Sequence, residues 1–108
     1  MLEGFCADPH ADEQLAVTCN GLALFVRVAD VEWLEADGVA VRLHVAYQTH
    51  LLRETLEALV PQLPPGRFLR IAPRTLVNIQ QIQDLQPLRY GRCRIVLRSG
   101  ARLTFLRG

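Results

Sequence analysis

The sequence contains no lysine; all twelve of its basic residues are arginine. A composition biased toward Arg, Ala, Leu and Val produces the same pattern, so this absence says nothing by itself, although arginine's planar fork suits phosphate and guanine edges. Cysteine is also scarce. Cys6, Cys19 and Cys93 are odd in number and irregularly spaced, which argues against a disulfide framework and fits a reducing compartment. Cys19 and Cys93 sit in apolar, strand-like runs and read as small buried hydrophobes. Cys6 and His10 would make only half of a metal site, and no second pair completes it, so neither metal nor other cofactor is expected. No apolar run approaches the roughly 18 residues of a membrane span. No basic segment followed by an apolar one opens the chain, so a secretory leader is not expected and the cytoplasm is.

The residues of catalysis are equally thin. Ser99 is the single serine and lies in a Ser-Gly turn signal, and His10, His44 and His50 have no neighbour in sequence that would orient them. Glu32 and Glu35, three apart on a strand, fall on opposite faces and make no acid/base pair. Glycine-rich phosphate loops, Cys-x-x-Cys and His-Glu-x-x-His are all missing. No enzymatic activity is expected.

What is present is a polarised charge. Residues 1–65 hold ten acids against Arg27, Arg42 and Arg53, a net of −7; residues 66–108 hold nine arginines against Asp84, a net of +8. Such a split points to a polyanion partner for the basic part, unless the two halves simply attract each other within one fold. At 108 residues the chain is long enough for one domain. Residues 1–14, polar, acidic and broken by Pro9, read as a linker or tail, and residues 15–108 as the domain.

Along that domain the pattern is of short strands. Leu15 to Cys19 and Leu22 to Val28 flank Asn20-Gly21, the strongest short hairpin signal. Val31 to Ala36 alternates as another strand, with Val31 and Trp33 apart from Glu32 and Glu35, and leads to a second signal at Asp37-Gly38. Val39 to Ala46 then alternates, with Val39, Val41, Leu43 and Val45 on one face and Arg42 and His44 on the other; Tyr47 to Leu52 extends further. Thr55 fits an N-cap for a helix carrying Leu56, Leu59, Val60 and Leu63, cut short by Pro61 and ended by Pro64-Pro65-Gly66. Phe68 to Ile71 reads as a strand, Ala72 to Thr75 as a rigid basic loop, and Leu76 to Gln80 as a buried re-entry with a helical turn. Strands over Ile82 to Leu88, Cys93 to Leu97 and Ala101 to Leu106 follow. The class is mostly β, antiparallel, with one short helix. Arginines gather at the turns: Arg70 and Arg74 at one, Arg89 and Arg92 at another, Arg98 and Arg102 at a third. Loop-borne arginines on a rigid frame reach phosphates and base edges. With only Tyr90 beside them, duplex binding fits better than base stacking on a single strand.

The series Arg53-Glu54-Thr55-Leu56-Glu57-Ala58-Leu59, Leu63-Pro64, Arg67-Phe68-Leu69-Arg70-Ile71, Leu76-Val77-Asn78-Ile79 and Ile82 resembles the signature of the LytTR family of bacterial DNA-binding domains. Val31 to Ala36 is similar to that family's Ile-Glu-Ala strand, and Val96 to Leu103 to its closing hairpin. The resemblance spans residues 15–107. It implies an elongated stack of short antiparallel sheets whose loops enter the grooves of promoter DNA. It also implies a homodimer on direct repeats, and either the effector part of a response regulator whose receiver or other sensory domain is not in this chain or a free-standing small regulator. The contact regions it implies are Asp37 to Arg42, Ala72 to Thr75 and Thr104 to Arg107.

Two departures stand out. Ala72-Pro73-Arg74-Thr75 replaces the family's histidine-arginine-serine-tyrosine, and Leu106-Arg107-Gly108 replaces a longer basic ending. The expected DNA-binding residues are Arg42, Arg70, Arg74, Thr75, Asn78, Arg102 and Arg107. Arg74 approaches bases, Arg70 and Asn78 hold the loop or touch phosphate, and Arg42, Arg102 and Arg107 contact DNA from the flanks. The departures leave an alternative, a domain of the same fold that binds protein.

Overall fold

A computed structural model describes residues 14–46 and 48–106. Ten strands make three antiparallel sheets. The first is the hairpin of β1 (Gln14–Cys19) and β2 (Leu22–Arg27). The second holds β3 (Val31–Asp37), β4 (Ala40–Val45), β5 (Gln48–Leu52), β6 (Phe68–Ala72) and β7 (Thr75–Asn78) in the order β5-β4-β3-β7-β6. The third holds β8 (Ile82–Pro87), β9 (Arg92–Leu97) and β10 (Arg102–Leu106), with β9 central. The expected mostly β stack with one short helix is the fold observed.

Local chemistry accounts for most elements. Asn20 and Gly21 take φ of 54° and 77°, and Cys19 faces Leu22, so the turn has the two positive-φ residues of type I′. Thr55 is extended and its hydroxyl accepts from the Ala58 amide at 3.1 Å, starting helix α1 (Leu56–Leu59). Pro61 is confined to a 3-10 turn (Val60–Gln62), so the helix is one turn shorter than its apolar spacing implies.

The middle sheet separates two cores. On one face Leu34, Val41, Leu43, Leu52 and Leu76 pack with Leu15, Val17 and Val26 of the hairpin and Leu56, Leu59 and Leu63 of the helix region. On the other, Val77 packs with Ile95 and Leu97 of the third sheet, joined by Trp33, Ile71, Leu103 and Phe105. Each fully buried leucine is worth roughly 1.5–3 kcal/mol, so the two cores clamp the middle sheet from both sides.

Three expectations need correction. Alternation through Val31 to Ala36 puts Val31 and Trp33 on one face, but a bulge between them breaks the period. Val31 and Leu34 therefore share the first core, Trp33 turns to the second, and Glu32 is buried. The Asp37-Gly38 turn sits one residue later: Asp37 faces Ala40, and Gly38 (φ 65°) and Val39 form its tip. Ala72 to Thr75 is no open loop. Ala72 faces Thr75 directly, leaving Pro73-Arg74 as a two-residue turn between paired strands, and Leu76 to Asn78 is strand, with the helical turn following at Ile79–Gln81.

Candidate nucleic-acid interface

The β3–β4 and β6–β7 turns project from the same end of the middle sheet. Glu35 of β3 pairs with Arg42 on one side and Thr75 on the other. Beyond that row the Ala36 amide donates to the Arg74 carbonyl at 2.8 Å, tying one turn to the other. Pro73 fits the first corner of its turn because its ring presets φ there.

Four of the expected residues meet at this end. Arg74 is exposed at the tip. Thr75 is half-buried at the first ladder position. Arg42 is exposed and its Nη2 lies 2.7 Å from Asp37 Oδ2. Arg70 braces the turn from below: Nη2 and Nε donate to the Pro73 carbonyl at 2.6 and 3.2 Å, and Nη2 also reaches Glu57 of the helix at 3.4 Å. One guanidinium thereby fixes a turn carbonyl and links it to the first core.

Asn78 lies at the opposite end of β7 and is fully buried. Its Nδ2 donates to the carbonyls of Val31 (2.8 Å) and Val28 (3.4 Å), and its Oδ1 accepts from the Gln80 amide at 3.0 Å. Of its two expected roles, this geometry is the structural one: Asn78 holds the frame and presents no atom to solvent. Gln81 adds a bond to the Ala29 carbonyl at 2.8 Å, stapling two 3-10 turns together. Arg102 is exposed but belongs to the third sheet, opposite Val96. Arg107 lies outside the described residues, as do Cys6 and His10.

Ion pairing separates the occupied arginines from the free ones. Six of the seven described acids are engaged. Asp30 lies 4.0 Å from Arg27, Glu35 2.9 Å from His44, Asp37 2.7 Å from Arg42 and Glu57 3.4 Å from Arg70. Glu32 accepts from Ser99 at 2.6 Å, and Asp84 accepts from the Leu85 amide at 2.8 Å and from Gln86 at 3.1 Å. Among the described residues, Arg53, Arg74, Arg89, Arg92, Arg94 and Arg102 have no such partner. Arg53 escaped sequence reasoning. It follows Leu52, which faces Val41, so it stands level with the β3–β4 turn. Only strand register brings it there. No three His, Cys, Asp or Glu side chains converge on a metal position among the described residues.

A model of the LytTr DNA-binding domain matches residues 23–107. The chain belongs to the LytTR family. Among solved structures it is similar to the LytTr DNA-binding domain of a protein described as a methyl-accepting/DNA response regulator from Bacillus cereus. The two share 18% identity with a TM-score of 0.74, over 86% of this chain and 85% of that one. At that identity the likeness is one of fold. No curated protein matches the sequence. The LytTR match and the three stacked sheets agree, and the family is one of DNA-binding domains rather than enzymes. Among the described residues, no helix is long and apolar enough to cross a membrane.

Proposed function

We propose that this LytTR domain binds promoter duplex DNA sequence-selectively as the effector of a bacterial response regulator in the cytoplasm. The observation that carries the reading is Arg74: exposed, its guanidinium without a partner, and held at the tip of a two-residue turn braced by Arg70. Thr75 stands beside it, and Arg42 and Arg53 occupy the neighbouring strand ends. Arg74 approaches base edges; Arg42, Arg53, Arg102 and Arg107 contact phosphate. A homodimer on direct repeats, controlled by a receiver or other sensory domain, completes the reading. The test is selection of bound genomic fragments, followed by competition binding with Arg74→Ala. Loss concentrated on the selected sequence, worth about 1–3 kcal/mol, supports base contact; equal loss on every sequence reduces Arg74 to a phosphate contact.

A protein-binding reading draws on the other turn. There Asp37 neutralises Arg42, and Val39 is 88% exposed at the tip. Salt separates the two readings, because duplex binding falls steeply as salt rises and counterions are no longer released at a gain. No retention on genomic fragments at low salt would favour the protein partner.

A further inference from the structure

The third sheet presents one face to the second core and the other to solvent, and the two differ in charge. On β9, Cys93, Ile95 and Leu97 point inward and are buried, while Arg92, Arg94 and Val96 alternate with them and point outward. Register extends the outward face across the sheet. Arg94 lies between Thr104 and Gln86, Val96 between Arg102 and Asp84, and Arg92 faces Leu106. Arg92 and Arg94, two residues apart on one strand, are about 6.8 Å apart at their backbones, comparable to successive phosphates along one nucleic-acid strand.

Nothing within the described residues neutralises these groups. Arg92, Arg94 and Arg102 make no ion pair, and Asp84, the one acid on the face, is turned back onto the Leu85 amide and Gln86 of its own strand. The buried inner face fixes the strands that carry the guanidiniums, so little order must be gained on binding. The adjoining turn enlarges the basic area: Arg89 and Arg92 flank Tyr90 and Gly91, at φ of 62° and 71°. Tyr90 is 88% exposed in a conformation that disfavours bulky side chains.

We propose that this outward face of β8–β9–β10 is a second contact surface for the sugar-phosphate backbone of duplex DNA, separate from the turn end. This rests on the duplex-binding reading above and extends it: Arg92 and Arg94 hold phosphates and read no bases. A protein partner is disfavoured because protein interfaces centre on apolar or aromatic anchors, whereas unneutralised arginines in a row suit the repeated charge of a polyanion. The centre of this face is Arg94 between two neutral hydrogen-bonding side chains.

The test compares wild type with R92Q/R94Q and R92K/R94K on a duplex of fixed length across a salt series. Each phosphate contact contributes about 0.9 to the slope of log K against log salt. R92Q/R94Q is expected to flatten the slope by about two, equally on selected and unselected sequences, and R92K/R94K to restore it because charge alone suffices. Should the double variant unfold, R92Q alone is expected to flatten it by about one. An unchanged slope in R92Q/R94Q overturns the inference and leaves the Arg74 reading standing. Loss confined to the selected sequence also overturns it, since bases would then be read. So does lost binding of poly-glutamate with the duplex slope intact, which would point to an acidic protein. If wild type does not bind duplex at all, heparin decides. Earlier elution of R92Q/R94Q keeps the face as a polyanion surface while the Arg74 reading fails; co-elution with wild type overturns both.

Discussion

The guanidinium of Arg70 grips the carbonyl of Pro73, with Nη2 at 2.6 Å and Nε at 3.2 Å. Both contacts come from one planar group, and lysine cannot reproduce them together. Arg70→Lys is therefore expected to loosen the Pro73-Arg74 turn while keeping the charge. The selected duplex should be bound several-fold more weakly, with selectivity reduced and the salt slope unchanged. A flatter slope would mean that Arg70 itself touches phosphate. The fold should tolerate the change within about 1 kcal/mol, because the group is part-exposed.

Asp37 opposes its own surroundings. Its carboxylate lies 2.7 Å from Arg42, and both side chains are about half exposed (52% and 49%). An exposed pair of this kind contributes only about 0–1 kcal/mol to stability. Asp37→Asn should scarcely move the denaturation midpoint, yet leave the whole charge of Arg42 to the phosphate that it otherwise shares with Asp37. Duplex affinity should rise, with a salt slope steeper by about one. Unaltered or weaker binding would place the β3–β4 turn away from the duplex.

Asn78→Ala is expected to be the most damaging of these changes. It removes the side-chain partners of the Val31 carbonyl, in a buried bond, and of the Gln80 amide, in a part-buried one. At about 1–3 kcal/mol for each buried group left unpaired, the loss should be about 2–4 kcal/mol, read from urea unfolding. The variant that remains folded should keep the wild-type salt slope, because Asn78 has no exposed atom to offer DNA.

Tyr90 should respond in the opposite direction. Glycine accepts its φ of 62° without strain, so Tyr90→Gly is expected to raise stability by about 1 kcal/mol in the same assay. A fall in stability would reveal packing by the ring that its 88% exposure does not show.

Much of this architecture could be read from residue order because it is local. Asn20-Gly21, the alternation through Val41 to Val45 and the Thr55 cap each depend on neighbours within a few positions, and each forms as expected, whereas Val39 is displaced from the expected inner face into the exposed turn tip. What escaped is what depends on distant strands. No residue near Glu32 marks the bulge; it arises where one strand must serve two cores. Asn78 finds its acceptors 47 and 50 positions away. The position of Arg53 beside the turns and the alignment of Arg92, Arg94 and Arg102 follow only from register. The charge of the second half was visible in the sequence, but not that nearly all the described acids are already occupied.

The Pro73-Arg74 turn occupies two residues outside the strand ladder, exposed, between strands whose buried residues belong to two separate cores. If Arg74 reads bases as proposed, recognition at such a tip is modular. Residues 73 and 74 can be exchanged while Leu76, Val77 and Asn78 stay in place, so preference can drift without a matching drift in folding. Transplanting another family member's tip onto this scaffold is thus a matter of a few codons, with Arg70 as the side-chain support that must be kept or replaced along with it.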